Sequence, residues 1–497
     1  MSKHRSLTIE QAIAQAKKST KQGDFAEALQ IYDNILKHQP QHPVARKALH
    51  KLQKRLSRSK DSPALTLDPP QDQIKALINL CHSGSFVSAE LTCRELLRNF
   101  PRALSVLNIL AGALTEQGKF QEAVQICDRM IQLKPDFAEA FYNRGLVLQK
   151  LGKLEDAIKS FSAAIQRKPD YARAHSDLAH LLLLLGDFNN GWKHHEWRMM
   201  AEKTRDQVPA PMPAWNGEQL QNKVIFVRAE QGIGDEVMFA SCFQDLVTTN
   251  PKRIIVECDS RLTPLFARSF PEMDIQGKRE SKNITWLKEF GNVDYQVGMG
   301  SLPMFFRPSL DSFPDRKSFL QPNPVLLETW RKRFAEIGEA IKIGISWRGG
   351  SRESMKASRS IDHQLWKPVL QSDAHFVNLQ YGDCTADIKQ FEQVSGVHIY
   401  DWEDADPLTD LDNFAAQISA LDLVISIDNS TVHFAGAVGI PTWVLTPNVP
   451  DWRWMLERDD SPWYPAVRLF RQNDSDNWSD VISKVKEALD KCFGLQH

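Results

Sequence analysis

The sequence lacks a long hydrophobic run. The longest purely apolar stretch lies near Leu181 to Leu185, far short of the roughly 20 residues that a membrane-spanning helix needs. The beginning of the chain has a basic tip but no apolar stretch of the kind found in a signal peptide. We therefore expect no integral membrane segment and a cytoplasmic location.

Excess charge and paired cysteines are also missing. Lysine and arginine number 61 against 62 acidic residues, a net charge of -1, which gives no electrostatic reason to expect a nucleic-acid partner. The seven cysteines are an odd number and form no C-x-x-C pair. This usage favours reduced thiols over a disulfide framework or a zinc site.

What the chain does have is length and a globular composition. It contains 497 residues, 42% of them hydrophobic and 25% charged, which predicts a folded protein of two or three domains.

The first half repeats with a fixed period. Gly84, Gly118, Gly152 and Gly186 recur every 34 residues, and prolines at 101, 135 and 169 keep the same interval. A period of this length, with a small residue in the turn, is typical of helical hairpins that stack into a solenoid.

These units resemble tetratricopeptide repeats (TPRs). The best match runs from Ala138 to Pro169, and the residues at the family's preferred positions are Phe141, Gly145, Leu148, Ala157, Phe161, Ala164 and Pro169. The segment Ile9 to Pro40 fits the same template through Ala16, Gly23, Ala28, Tyr32 and Pro40. Gly84 follows Gly23 by 61 residues instead of 68, so we expect a linker between this hairpin and the later repeats. The last repeat departs from the pattern at Gly191, which predicts a capping repeat packed against the next domain.

The second half alternates strands and helices after a proline-rich joint at 209–213. Six short runs read as buried parallel strands: 224–227, 253–256, 341–345, 376–379, 423–427 and 442–445. About 270 residues of this pattern suit two doubly wound units in series.

Two loops carry the candidate chemistry. The first, Arg228 to Glu236, includes Gln231, Gly232, Gly234 and Asp235 between a strand and a helix. Its glycines would let the backbone pass close to a substrate, although a tight turn with Asp235 as the helix cap explains them too. The second loop, Ile427 to Ala437, opens another helix, whose N–H groups and the hydroxyls of Ser430 and Thr431 would suit a diphosphate. An ordinary helix cap is the competing interpretation.

Both loops, together with the tails Pro447 to Trp454 and Asp459 to Pro465, resemble glycosyltransferase relatives of bacterial lipopolysaccharide heptosyltransferases that are fused behind TPRs. The resemblance covers about Lys223 to Gln472. It implies a GT-B fold, in which an N-terminal Rossmann-like lobe presents the acceptor and a C-terminal lobe binds the nucleotide-sugar.

The resemblance also implies roles for individual residues. Asp235 matches the proposed catalytic aspartate, which would accept the proton of the acceptor hydroxyl. Lys356 or Arg359 falls where the family supplies cations to the leaving diphosphate. Asp428, Ser430, Thr431 and His433 match the donor-binding motif, and Gln380 is expected at the nucleotide. We expect no cofactor besides the nucleotide-sugar substrate, and no metal, because cations and a helix N-terminus can replace one.

The expected fold is thus an α-helical TPR solenoid followed by an α/β GT-B region of two Rossmann-like lobes. The expected domains are a TPR-like hairpin at 1–56, a linker at 57–71, a TPR array with its capping repeat at 72–205, an acceptor lobe at 216–325, and a nucleotide-sugar-binding lobe with a C-terminal helix at 326–497.

The leading functional hypothesis is an inverting, metal-independent glycosyltransferase that modifies Ser or Thr of a protein held by the TPR groove. The order of repeats and transferase resembles eukaryotic O-linked N-acetylglucosamine transferases and bacterial flagellin glycosyltransferases, so flagellin or another surface protein is a candidate acceptor. Two alternatives stay open: transfer to cell-surface polysaccharide or lipopolysaccharide, and a scaffold with an inactive transferase-like domain. The repeats could instead serve self-association as a homo-oligomer or brace the next domain.

Overall fold

A computed structural model describes residues 9–22, 25–39, 42–58, 68–201, 211–281, 283–349, 359–473 and 477–494. The chain divides into two compact units, residues 1–147 and 148–497. Gly23 and Pro40, two residues of the first predicted repeat, lie outside the described residues.

The first unit begins with helices α1 (Ile9–Gln22), α2 (Phe25–His38) and α3 (Pro43–Arg58). Ala16, Ala28 and Tyr32, the template residues expected to be internal, are buried in the core of these helices. Helix α3 extends to Arg58, so the first two residues of the expected linker are helical.

Antiparallel helix pairs follow: α4 (Gln71–His82), α5 (Phe86–Asn99), α6 (Leu104–Glu116), α7 (Phe120–Leu133) and α8 (Ala138–Lys150), within which the first unit ends. Gly84 and Gly118 lie between the two helices of their pairs with φ of +72° and +73°. A residue with a Cβ rarely adopts this left-handed conformation. The 34-residue period therefore marks the turn within each helix pair, and the predicted repeat is confirmed.

The second unit starts with the rest of the repeats: α9 (Leu154–Arg167), α10 (Ala172–Leu184), α11 (Phe188–His195) and the short α12 (Arg198–Ala201). A Cβ at Gly191 would lie 2.7 Å from the Leu183 side chain, which explains why glycine replaces the usual alanine. The buried indole Nε1 of Trp192 donates a hydrogen bond to the Arg307 carbonyl at 2.7 Å. The last repeat therefore packs against the α/β region, as predicted.

The N-terminal α/β lobe contains strands β1 (Val224–Arg228), β2 (Arg253–Glu257), β3 (Asp274–Gln276) and β4 (Tyr295–Gly298), with helices α13 (Ile233–Phe239), α14 (Phe243–Thr248), α15 (Thr263–Ser269) and α16 (Leu302–Phe306). Its described strands are all parallel, in the order β3-β2-β1-β4. Trp215, just after the proline-rich joint, donates its backbone N–H to the Gln296 carbonyl at 2.8 Å and so extends the β4 edge.

The C-terminal lobe contains strands β5 (Ile341–Ser346), β6 (Ala374–Asn378), β7 (Ile399–Tyr400), β8 (Leu423–Ile427), β9 (Thr442–Thr446) and β10 (Val467–Arg471). Its helices are α17 (Pro324–Glu336), α18 (His363–Leu370), α19 (Thr385–Ser395), α20 (Leu411–Ser419), α21 (Ser430–Val438) and α22 (Ser479–Phe493). The strands among the described residues are parallel, in the order β10-β9-β8-β5-β6-β7.

Both sheets follow the Rossmann pattern, in which the strand order reverses beside the first strand of the lobe. The reversal falls between β1 and β4 in the N-terminal lobe and between β5 and β8 in the C-terminal lobe. Ligands of such sheets bind outside the carboxyl ends of the strands at this point. The two Rossmann-like lobes expected of a GT-B fold are present, and both predicted loops follow strands at a reversal point.

Candidate functional site between the two lobes

The first loop places Asp235 on the first turn of α13. Asp235 Oδ2 accepts a hydrogen bond from the Gly232 backbone N–H at 2.9 Å, so the expected capping role is real. The other oxygen, Oδ1, forms an ion pair with Arg453, which lies 218 residues further along the chain. Asp235 therefore both caps its helix and faces the opposite lobe.

A buried ion pair supports this loop from behind. Glu236 is fully buried, and its Oε1 lies 2.6 Å from Arg279 Nη1. Arg279 also donates to the carbonyl of Gln231, whose φ of +61° is unusual for a residue with a side chain. Burial raises the pKa of Glu236 to about 7, although Arg279 opposes the change. Gln231 thus contributes its backbone to holding the loop.

Five charged side chains form a continuous chain across the site: Asp235, Arg453, Asp451, Arg359 and Asp428. Arg453 Nη1 lies 2.6 Å from Asp451 Oδ1. Arg359 Nη2 lies 3.6 Å from Asp451 Oδ2 and 3.5 Å from Asp428 Oδ2. Because acids and guanidinium groups alternate, each arginine neutralises two carboxylates.

The environment shifts the pKa values of the two acids that contact Arg359 in opposite directions. Burial of Asp451 works against its ionisation, but Arg453 and Arg359 outweigh burial and lower its pKa to about 2. Asp428, next to the end of β8, has its pKa raised by burial, with Arg359 opposing. Asp451 is therefore the firmly ionised partner of both arginines.

The second loop is organised by Asn429, the residue that caps α21. Its Oδ1 accepts from the Thr431 backbone N–H at 3.0 Å, and its Nδ2 donates to Ser346 Oγ at 2.7 Å. Thr431 is buried, and its hydroxyl is 3.4 Å from the Leu379 carbonyl. The loop thus contains an ordinary helix cap, formed by Asn429, and Ser430 is half-buried at the first position of the helix.

Gln380 ties the loops after β5 and β6 together. Its Oε1 accepts from Ser346 Oγ at 3.1 Å and from the backbone N–H groups of Trp347 and Arg348 at 3.0 and 2.9 Å. Its Nε2 is buried and has no hydrogen-bond partner among the described residues. Gln380 therefore orders the loop backbone through one atom and keeps an amide donor on the other.

His433 joins the two lobes. Its Nδ1 is 2.9 Å from the Tyr464 hydroxyl, and its ring stacks on Trp454 with centroids 5.7 Å apart. A Cβ at Gly234 would lie 2.8 Å from His433 Cδ2, so glycine permits the close contact between α13 and α21. Burial, with a smaller effect of Arg453, lowers the pKa of His433 to about 4. The imidazole is neutral at pH 7.

Of the predicted site residues, the structure brings Asp235, Arg359, Asp428, His433 and Gly234 into one cluster. Gln380 and Thr431 lie behind these residues and form hydrogen bonds with the loop backbone. Gly232 contributes the backbone N–H that Asp235 caps. Lys356 lies outside the described residues.

Four residues of the site were not predicted: Asp451, Arg453, Trp454 and Tyr464. They belong to the tails Pro447 to Trp454 and Asp459 to Pro465, which carried the resemblance without a role for any single residue. The signal that marks the first three is an aspartate and an arginine alternating with tryptophans in Asp451-Trp452-Arg453-Trp454.

The family model for the tetratricopeptide repeat matches residues 109–183. Over 493 residues the chain is 32% identical to Protein FlbA of Caulobacter vibrioides, covering 94% of this chain and 82% of that protein. The chain belongs to the FlbA family. Similarity to this FlbA relative extends through both the repeats and the α/β region, because the alignment spans nearly the whole chain. No helix among the described residues is long and apolar enough to cross a membrane.

Two solved structures are each similar to a portion of this FlbA-family chain. A MamA structure from Desulfovibrio magneticus has 17% identity and a TM-score of 0.25, and covers 40% of this chain and 97% of its own. A glycosyl transferase family 9 structure from Veillonella parvula has 13% identity and a TM-score of 0.39, and covers 55% of this chain and 98% of its own.

Proposed function

We propose that this protein is a glycosyltransferase that moves a sugar from a nucleotide-sugar to a Ser or Thr hydroxyl of a protein acceptor. The observation that carries the proposal is that Asp235 from one Rossmann-like lobe pairs with Arg453 from the other, while Arg359 pairs with Asp451, the second partner of Arg453. A carboxylate facing cations across such a cleft suits a reaction in which a proton is removed on one side and negative charge develops on the other.

In the proposed reaction the acceptor oxygen attacks the anomeric carbon of the sugar. Its proton passes to Asp235 Oδ1, the bond between the anomeric carbon and the diphosphate oxygen breaks, and the nucleoside diphosphate leaves with the bonding electrons. This single displacement inverts the anomeric carbon. The donor and acceptor substrates supply every atom that is exchanged.

The arginines have a second task in this proposal. Arg453 engages the Asp235 oxygen that would take the proton, so we infer that the donor diphosphate draws Arg453 away and frees Asp235. Arg359 and Arg453 then offset the charge on the leaving diphosphate, a role that a metal ion fills in other transferases.

His433 supplies a neutral hydrogen-bond donor. Its nitrogen Nδ1 contacts the Tyr464 hydroxyl at 2.9 Å, and we assign the hydroxyl as the donor, which leaves the imidazole proton on Nε2. A neutral donor binds a phosphate or sugar oxygen without competing with Arg453 for Asp235. Asp428 and Ser430, beside the same helix, would complete the donor site.

We assign recruitment of the acceptor to the repeats, because stacked helical hairpins offer an extended surface that suits a protein ligand. Flagellin and other surface proteins are the acceptors to test first. Removal of helices α1 to α7 should abolish transfer to protein, whereas hydrolysis of the nucleotide-sugar and nucleotide affinity should persist. Unchanged turnover of the protein acceptor by the shortened chain would refute recruitment.

The central test is Asp235→Asn, an isosteric change that keeps an oxygen for the Gly232 N–H but removes the base. We expect transfer to fall by at least about a hundredfold, while calorimetry shows retained nucleotide binding. Glu272→Gln is the matched control, since Glu272 is an exposed acid of the same lobe. Intact-mass measurement of co-expressed acceptors reports transfer and the sugar mass together. Full activity of Asp235→Asn would reject the assigned base.

The same measurements separate the alternatives. If polysaccharide or lipopolysaccharide is modified and no protein is, the acceptor is a glycan and not a protein. Failure of the wild-type chain to bind any nucleotide-sugar of a panel would leave a scaffold without transferase activity.

A further inference from the structure

We propose that His180, on helix α10 of the last repeat, is a positioning residue of the active site, holding Trp452 and, through it, the arginine that faces Asp235. The proposal rests on the proposed function and deepens it. The last repeat then forms part of the active-site wall in addition to any role in binding the acceptor.

The first observation is a chain of contacts from the repeat to the proposed base. Helix α10 packs on the short 3-10 turn Trp452–Trp454. The His180 ring stacks on the Trp452 indole, with centroids 6.4 Å apart and planes 9° from parallel. Arg453 Cζ lies 4.5 Å from the centroid of the same indole, and the Arg453 guanidinium bonds Asp235. One indole therefore connects His180 to Arg453.

The second observation is that the repeat surrounds Trp452 on more than one side. Trp192 and His195 of α11 lie 5.6 and 5.8 Å from the Trp452 ring, measured between centroids. His195 is buried, and neither of its ring nitrogens has a hydrogen-bond partner among the described residues. It also lies 6.4 Å from Phe239, on the helix that carries Asp235. Packing between these rings holds the indole in place.

A third contact joins the repeat to the loop that precedes Asp235. Arg198, fully buried at the end of the repeats, donates to both oxygens of Glu230 at 2.7 Å. Glu230 Oε1 also accepts the Gly300 N–H at 2.7 Å, at the end of β4. Because Glu230 lies five residues before Asp235 in the sequence, the repeat contacts both sides of the proposed site.

The charge state of His180 suits this position. The ring is partly enclosed, and burial lowers its pKa, with Asp451, Asp177 and Asp235 opposing and Arg453 reinforcing the effect. A neutral imidazole can lie beside Arg453 without repelling it, and it offers Trp452 a flat surface. The stacking surface is therefore what the site requires of residue 180.

The experiment compares His180→Ala and His180→Phe in the full chain, with Arg173→Ala as the matched control on an exposed position of the same helix. We expect His180→Ala to lower kcat about tenfold to a hundredfold, as for other displacements of about 1 Å, with the KM for the donor nearly unchanged. His180→Phe, which keeps a flat ring, should stay within about threefold of wild type.

Hydrogen exchange of the turn gives a readout independent of activity. The Trp454 N–H bonds the Asp451 carbonyl at 3.1 Å, and the Met455 N–H bonds the Trp452 carbonyl at 3.3 Å. We expect faster exchange at these amides in His180→Ala and wild-type exchange in His180→Phe and Arg173→Ala.

Two results overturn the inference. The first is that kcat and the exchange rates of His180→Ala equal those of Arg173→Ala. The second is that exchange in His180→Ala is faster throughout residues 148–497, which would show general destabilisation. An inactive wild-type chain would refute the proposed function instead, together with the catalytic part of the inference. The exchange data would still decide whether His180 holds the turn.

Discussion

Replacing Arg453 by glutamine should destabilise the unit formed by residues 148–497. The Arg453 side chain is only 14% exposed, and its partners Asp235 and Asp451 are 20% and 21% exposed. Removing one member of a buried ion pair leaves its partner uncompensated, typically at a cost of about 3 to 5 kcal/mol. In Arg453→Gln only Arg359 remains to neutralise Asp451 and Asp428.

The pKa of Asp451 gives a second estimate of the effect. Burial opposes ionisation, but Arg453 and then Arg359 lower the pKa from 3.8 to about 2. A depression of this size corresponds to roughly 2 kcal/mol of stabilisation at neutral pH, most of which the variant loses. A lowered carboxylate pKa stabilises the fold fully above pH 3.8, and this contribution disappears as the pH falls to about 2.

The assay is thermal unfolding followed by calorimetry between pH 7 and pH 3. At neutral pH we expect the transition of Arg453→Gln to lie on the order of 5 to 10 °C below that of wild type, with the difference narrowing toward pH 3. Arg331→Gln, an exposed arginine of the same lobe on α17, is the control. A transition within about 1 °C of this control, or a gap that does not vary with pH, would refute the reasoning.

Three further predictions follow from the same site. Gly234→Ala should lower transfer and reduce the free energy of unfolding by about 1 to 3 kcal/mol, because the new Cβ would lie 2.8 Å from His433 Cδ2. In the control Gly112→Ala the new Cβ has nothing within 4 Å, so this change should stabilise its helix. Equal shifts of the melting temperature in the two variants would contradict the close-contact argument. Glu236→Gln should make the stability less dependent on pH, because a pKa raised from 4.5 to about 7 makes wild type lose stability as the pH rises through that interval. An unchanged slope of the free energy of unfolding against pH would reject this prediction. Tyr464→Phe should cost about 1 kcal/mol and reduce kcat by releasing the His433 ring, and wild-type kinetics would rule out a role for this hydrogen bond.

Regular patterns in the sequence predicted most of the fold. The glycine period located the helix pairs, and the six predicted strands coincide with β1, β2, β5, β6, β8 and β9. Strands β3, β4, β7 and β10 were missed. Asp274–Gln276 and Ile399–Tyr400 are too short to show an alternation, and β4 and β10 interleave polar residues with apolar ones. Position at or beside a sheet edge, which tolerates such mixed strands, cannot be read from local composition.

The site was predicted only in part because its charges come from distant parts of the chain. Asp235 was found from its own loop, but its ion-pair partner Arg453 is 218 residues away, and no local pattern links them. In the second loop the helix cap is Asn429, a residue to which the sequence analysis assigned no role. His180 precedes an apolar run of leucines, where helical periodicity gave no reason to single it out.

The end of the first compact unit at Val147 has a consequence for exchanging parts between members of this family. The unit to transfer as a whole is residues 148–497, which includes helices α9 to α12. A cut at the proline-rich joint would instead expose Trp192 and Arg198, which are buried against the α/β lobe. New repeats should therefore be joined before α9. In chimaeras built at that junction, the last hairpin would stay with the lobes against which it packs. The hairpins before it could then be exchanged.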